Sequence, residues 1–174
     1  MIISAKLGNL YNGFTSAKPV DAIYLEWFES NKRILHKKTV SGREIICRFL
    51  NESIQLIDGD VLSEEQDSVV VVKILLCDAI VINVADKFQL ASVCYEIGNK
   101  HLPLFYDNGE LLVPFDGPLF SLLTAQGYQV QKQERKLLNP LKTSVAPHGE
   151  SVNGSSLFSK IMKMTSNTNV PNKD

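Results

Sequence analysis

Apolar and polar positions change rhythm once along this chain. Before about residue 85 the apolar residues come in short runs rich in branched and aromatic side chains, broken by turn residues, which is the signature of strands. Ile23-Tyr24-Leu25-Glu26-Trp27-Phe28 is one such run. Arg33 to Val40 and Glu44 to Leu50 are two more, split by Ser41-Gly42, a hairpin turn signal. Asp58-Gly59-Asp60 marks a tight turn before Val61-Leu62, and Glu64-Glu65-Gln66-Asp67 is a polar turn. No amphipathic helix is predicted in this part. The run from Val69 to Val84 reads as one long strand or as two strands with a join.

The rhythm then lengthens to three and four. Asp86 is placed to cap a helix, with Gln89 as the reciprocal half of a capping box. Leu90, Val93, Cys94 and Ile97 follow at helical spacing, with Phe88 and Ala91 beside that stripe, and Gly98 stands where a left-handed residue would end the helix. His101 to Tyr106 reads as a strand, Asn108-Gly109 as a hairpin turn, and Glu110 to Val113 as the returning strand. Asp116 and Pro118 open a second helix carrying Leu119, Leu122 and Leu123 on one face, Gly127 ends it, and Tyr128 to Gln131 alternates as a last strand. The order strand, helix, strand, strand, helix, strand is the ferredoxin-like split arrangement. It predicts two helices over one sheet face and a second face open to solvent or a partner. From about Leu137 the pattern fades, and residues 149 to 174, rich in Ser, Asn, Gly and Lys, read as a flexible tail. The fold class is therefore α+β: an N-terminal all-β domain, a ferredoxin-like βαββαβ domain and a flexible C-terminal tail.

Charge and cysteine content narrow the class. Eighteen basic and nineteen acidic residues nearly cancel, so no global excess draws the chain to nucleic acid or an anionic membrane. Lys73, Asp78 and Asn83 interrupt the most apolar stretch, which argues for buried strand over membrane span. The N-terminus lacks the basic segment and apolar run of a signal peptide. Cys47, Cys77 and Cys94 are odd in number and far apart, with no Cys-x-x-Cys pair, which fits a reducing cytoplasm.

Candidate chemistry is sparse. There is no phosphate-binding glycine loop, no nucleophile elbow and no local acid-base pair, so no catalytic residue is assigned and an enzyme is not expected. The three histidines are His36, His101 and His148. His36 lies in a strand run beside Lys37 and Lys38 and reads as an exposed strand residue. Cys94 reads as core. His101 stands apart by its placement, just past a helix end in Gly98-Asn99-Lys100-His101.

At Cys94-Tyr95-Glu96-Ile97-Gly98-Asn99-Lys100-His101 the sequence resembles the UreE family of urease accessory proteins, the nickel metallochaperones of urease assembly. That family carries Gly-Asn-Arg-His here, and its histidine is the shared metal ligand. His101 matches it, while Lys100 replaces the arginine, keeping the charge and losing the planar fork. Tyr24-Leu25-Glu26-Trp27, Asp58-Gly59-Asp60-Val61-Leu62 and Val113-Pro114-Phe115-Asp116 also look like family features, so the resemblance covers roughly residues 1 to 150. It implies a β-rich partner- or peptide-binding domain over 1–74, a ferredoxin-like domain over 75–148 that binds metal and dimerises, and a tail over 149–174.

Ala146-Pro147-His148 matches a second ligand found in some members; no histidine follows it, unlike members with a histidine-rich tail. The resemblance further implies Ni(II) as cargo, with Zn(II) able to occupy the same site. It implies a homodimer, with a metal-linked tetramer as an extension, and partners in the urease accessory GTPase and the urease apoprotein complex. Nucleic acid and membrane are not expected partners, and the cytoplasm is the expected location. A lone imidazole holds metal poorly, but two copies of His101 facing each other across a two-fold axis share one ion, and His148 adds further nitrogen. Ligation needs neutral imidazole, so binding is expected to weaken as pH falls through about 6.5, the reference value for histidine. The competing reading is a metal-independent protein-interaction module.

Overall fold

A computed structural model describes residues 1–50 and 54–141. The N-terminal part is built from two sheets. Strands β1 (Ile2–Ile3), β4 (Ile34–Lys38) and β5 (Glu44–Arg48) form the first, in the order β1-β5-β4. Strands β2 (Gly8–Asn9), β3 (Val20–Leu25), β6 (Asp60–Glu64) and β7 (Val69–Ile74) form the second, in the order β2-β6-β7-β3, with β3 parallel to β7. Their facing sides close one core, in which Ile3, Leu35, Ile45, Cys47 and Phe49 meet Ile23, Leu25, Val70, Val72 and Ile74. Val61, Val69 and Val71 bury the other side of the second sheet against Leu10 and Phe14. Both faces of β7 are thus covered. That is why four consecutive valines, Val69 to Val72, carry no polar alternation.

The Val69 to Val84 run is two strands belonging to two sheets. β7 ends at Ile74, and β8 (Cys77–Asn83) begins the third sheet. Helix α1 (Lys87–Asn99), β9 (Phe105–Asp107), β10 (Glu110–Pro114), helix α2 (Gly117–Ala125) and β11 (Gln129–Arg135) follow. The sheet order β11-β8-β10-β9, antiparallel throughout, is the ferredoxin-like topology that the element order predicts. Ile80, Ile82, Leu111 and Val113 face the helices and pack on Val93, Ile97, Leu119 and Leu123. Asp86 accepts from the Gln89 backbone at 2.8 Å, but the Gln89 side chain caps Ala85 rather than Asp86.

Four sequence expectations change. The aromatic run stops being a strand at Leu25, and Trp27–Glu29 forms a single 3-10 turn closed by Glu29, which accepts from the Glu26 backbone. The strand expected from His101 begins only at Phe105. The second face of the third sheet is not open: Ala79, Val81, Phe105 and Leu112 are buried there under Leu137 and Trp27. The chain past Leu137 is also ordered further than its fading pattern suggests. Tyr106 donates to Asn139 and Leu141 to Leu104, laying residues 139–141 along the outer edge of β9. Among the described residues no helix is long and apolar enough to cross a membrane.

Candidate metal centre

The end of α1 is where sequence and structure part most usefully. Gly98 does not end the helix; it lies inside it, and Lys100 is the C-cap. The backbone then turns at His101, which takes φ 55°, in the left-handed region that favours glycine. His101 N–H donates to Gly98 O at 3.0 Å, and Leu102 N–H to Ile97 O at 3.4 Å. This is the paired bonding of a Schellman motif, with His101 in the position usually held by glycine and Leu102 packed back onto the core beside Ile97.

The second helix supplies an internal control. It ends in the same motif, with Gly127 N–H donating to Thr124 O and Tyr128 N–H to Leu123 O, and there the left-handed residue is Gly127 at φ 83°. The same backbone turn is thus made once by the residue that suits it and once by an exposed histidine. Left-handed backbone costs a non-glycine residue about 1 kcal/mol. What this turn places just past the end of the helix is an imidazole.

The outward face of α1 leads to that imidazole. Phe88 is 81% exposed and Tyr95 is 73% exposed, with Ala91 and Gly98 also exposed between and beyond them. Their spacing of three, four and three puts them on one stripe. The buried stripe of α1 is narrower than expected: Val93 and Ile97 are buried, Cys94 is half-buried, and Leu90 is 37% exposed. The sequence carried the signal of the exposed stripe, because Phe88, Ala91, Tyr95 and Gly98 share a helical face. Lys100, the departure from the family motif, pairs with Glu96 at 3.6 Å.

The remaining candidates do not join His101. His36 lies exposed on β4 in the first sheet. His148 lies outside the described residues. Among the described residues no group of three or more His, Cys, Asp or Glu could hold a metal. The thiols are unsuited to ligation: burial pushes Cys47 up to about 11 and raises Cys77 and Cys94 as well, and Cys77 Sγ is engaged with Arg135 O at 3.6 Å. The described part of one chain therefore offers a single well-placed imidazole, and any metal site must draw further donors from elsewhere.

Comparison with known proteins gives this geometry its context. Residues 3–75 match the family model for the N-terminal domain of UreE urease accessory protein, and residues 78–152 match that for its C-terminal domain. A urease accessory protein UreE of Flavobacterium johnsoniae is 43% identical over 164 residues, covering 94% of this chain and 99% of its own length. One from Haemophilus influenzae is 40% identical over 149 residues, covering 83% of this chain and 80% of its own. One from Helicobacter pylori is 35% identical over 170 residues, covering 94% of this chain and 100% of its own.

Proposed function

The chain belongs to the UreE urease accessory protein family, and from that premise we propose that it is a nickel metallochaperone. It binds Ni(II) through histidines at a homodimer interface and delivers the ion for assembly of the urease active site. Ni(II) is cargo here, not a resident cofactor, and the protein performs no catalysis of its own. The observation that carries the reading is His101: an exposed imidazole in left-handed backbone at the end of a helix whose outward face is apolar.

Each part of the mechanism follows from the donor set. One imidazole cannot retain a divalent ion against water, but a two-fold dimer doubles it. The stripe of Phe88, Ala91 and Tyr95 is the seam on which two α1 helices meet, and His101 at its end faces its counterpart. His148 supplies further nitrogen. The described chain ends beside Leu104, where Leu141 donates to the Leu104 carbonyl, three positions after His101. Seven further residues lead to His148, an extended reach of at most about 25 Å. Water or a carboxylate completes the shell, since Ni(II) takes mixed nitrogen and oxygen ligands. Zn(II) fits the same imidazoles. Few protein ligands at a surface seam favour exchange, which is what delivery requires.

In this reading residues 1–74 form the partner-binding domain, 75–148 the metal-binding and dimerisation domain, and 149–174 a tail. The partners are the urease accessory GTPase and the urease apoprotein complex, in the cytoplasm, with a metal-linked tetramer as a further assembly.

Nickel titration calorimetry on the intact protein, His101→Ala and His148→Ala, with mass measured in parallel, tests this. About one ion per dimer is expected, abolished in His101→Ala and weakened in His148→Ala. Retention should also fall between pH 7.5 and 5.5, as protons compete for imidazole. Equal binding by wild type and His101→Ala, or flat affinity across that pH range, would remove histidine from the metal site and leave a protein-docking module.

A further inference from the structure

The first sheet, β1-β5-β4, turns only one face into the core. Cross-strand register sorts its side chains: Ile3, Leu35, Ile45 and Cys47 point inward, while the rows Ile2–Ile46–His36, Ile34–Arg48 and Lys38–Glu44 point outward. On this outward face Ile2 is 66% exposed and Ile34 is 48% exposed, and Ile46 is partly buried between them. None of the three isoleucines belongs to a buried cluster among the described residues. A depression of about 210 Å³ opens beside this face, lined by His36, Lys37, Lys38, Glu44, Ile45 and Ile46.

The charge of this region is out of keeping with the rest of the chain. Residues 32–48 hold six Lys and Arg against one Glu, although the whole chain holds 18 basic against 19 acidic residues. Part of that charge is neutralised locally: Lys32 and Lys37 meet Glu29, Lys38 meets Glu44, and Arg43 meets Asp21. Arg33 and Arg48, which flank Ile34 in sequence and across the strand pair, have no ion-pair partner among the described residues. The face is thus an aliphatic centre with guanidinium groups at its rim that no carboxylate among the described residues pairs.

Resting on the reading of residues 1–74 as the partner-binding domain, we infer that the outward face of β1-β5-β4 docks an extended acidic segment of a partner protein in which aliphatic and acidic side chains alternate. An apolar centre with a charged rim is the anatomy of a protein interface, and the rim sets the sign of the partner through complementarity. Nucleic acid fits less well, because none of the outward rows carries a Phe, Tyr or Trp ring for a base to stack on, and His36 alone offers an imidazole. The chain's own C-terminal segment has the wrong sign, since residues 142–174 hold four Lys against one Glu and one Asp. The face lies on a different sheet from the one α1 covers and does not include His101, so docking is measurable on metal-free protein and its outcome is separate from that of the nickel titration.

The test is fluorescence anisotropy with the full-length, metal-free protein. The probe is a fluorescein-labelled synthetic peptide of alternating Glu and Ile or Val. Comparison probes are the Lys-for-Glu analogue, the Ser-for-Ile/Val analogue, an oligothymidylate of similar length and phosphatidylserine vesicles. The acidic aliphatic peptide should bind and the others should not compete effectively. Arg48→Glu and Ile34→Ser, both at exposed positions, should each weaken it by at least about tenfold. Lys87→Glu on α1 should leave it unchanged, and 0.5 M salt should weaken it. Equal binding by Arg48→Glu, or equal binding of the Ser analogue, overturns the inference. So does tighter binding of oligothymidylate or vesicles with the same dependence on Arg48. Loss of self-association in Arg48→Glu without any peptide binding also overturns it, by making a second copy the occupant.

Discussion

At position 101 the backbone takes a conformation that suits glycine, and the proposed chemistry needs the imidazole that stands there. The two demands separate by mutation. His101→Gly should abolish nickel binding in calorimetry, as is expected of His101→Ala, yet leave urea-unfolding stability unchanged or raise it by about 1 kcal/mol, because the left-handed strain is relieved. A stability loss of similar size would mean that the side chain supports the fold and not a site. Asp21 is a second residue set against its surroundings. It is 6% exposed, and burial alone would raise its carboxyl. Hydrogen bonds from the Ser41 hydroxyl and backbone and from Arg43 outweigh that and hold it well below the usual carboxylate range. Because the folded value is depressed, the stabilisation is present above the unfolded value of about 4 and is lost as pH falls below it. Urea midpoints of the wild type should therefore drop between pH 4 and 2, and Asp21→Asn should be less stable at pH 7 with a shallower acid decline.

At the scale of elements, α1 does two jobs on two faces. Val93 and Ile97 hold it on the sheet, while Phe88 and Tyr95 spend large apolar area on solvent in a single chain. The proposed dimer would cover this exposed aromatic stripe. Phe88→Glu with Tyr95→Glu should give a monomer in sedimentation, with helix content unchanged because neither side chain touches the core; an intact dimer would place the seam elsewhere. The last strand is built oppositely. β11 presents Gln131, Lys132, Gln133, Glu134 and Arg135 along a sheet edge, a composition that discourages pairing with another chain.

At the scale of the whole molecule, the third sheet is tied to the N-terminal part by a small, mixed junction. Trp27 meets Phe105 edge to face with centroids 5.6 Å apart, and packs with Leu137 over the buried face of the third sheet. Lys136 Nζ reaches both Asp58 oxygens at 3.1 Å, while the same carboxylate accepts from the Ile74 backbone. Leu138 packs on the N-terminal core. Trp27→Ala should cost about 3 kcal/mol, and circular dichroism should then show two unfolding transitions where one is expected of the wild type. A single transition in the variant would mean that the junction does not carry the coupling.

Local chemistry was legible without coordinates wherever neighbours in sequence are sufficient. Turn glycines at Gly42, Gly59, Gly109 and Gly127 all take positive φ, Asp86 and Asp116 cap the helices they precede, and the order of elements alone determined the ferredoxin-like topology. His101 was likewise singled out by its stretch of sequence. What required tertiary structure was everything set by contacts between distant segments. A continuous apolar run cannot show that Val69 to Asn83 serves two sheets, because burial on both faces erases the alternation that would mark a join. The helical period of α1 cannot show which apolar stripe the sheet covers and which it leaves bare. Nor can a glycine near a helix end show that the chain will pass over Gly98 and make its left-handed turn on His101, because that choice is fixed where Leu102 finds the core.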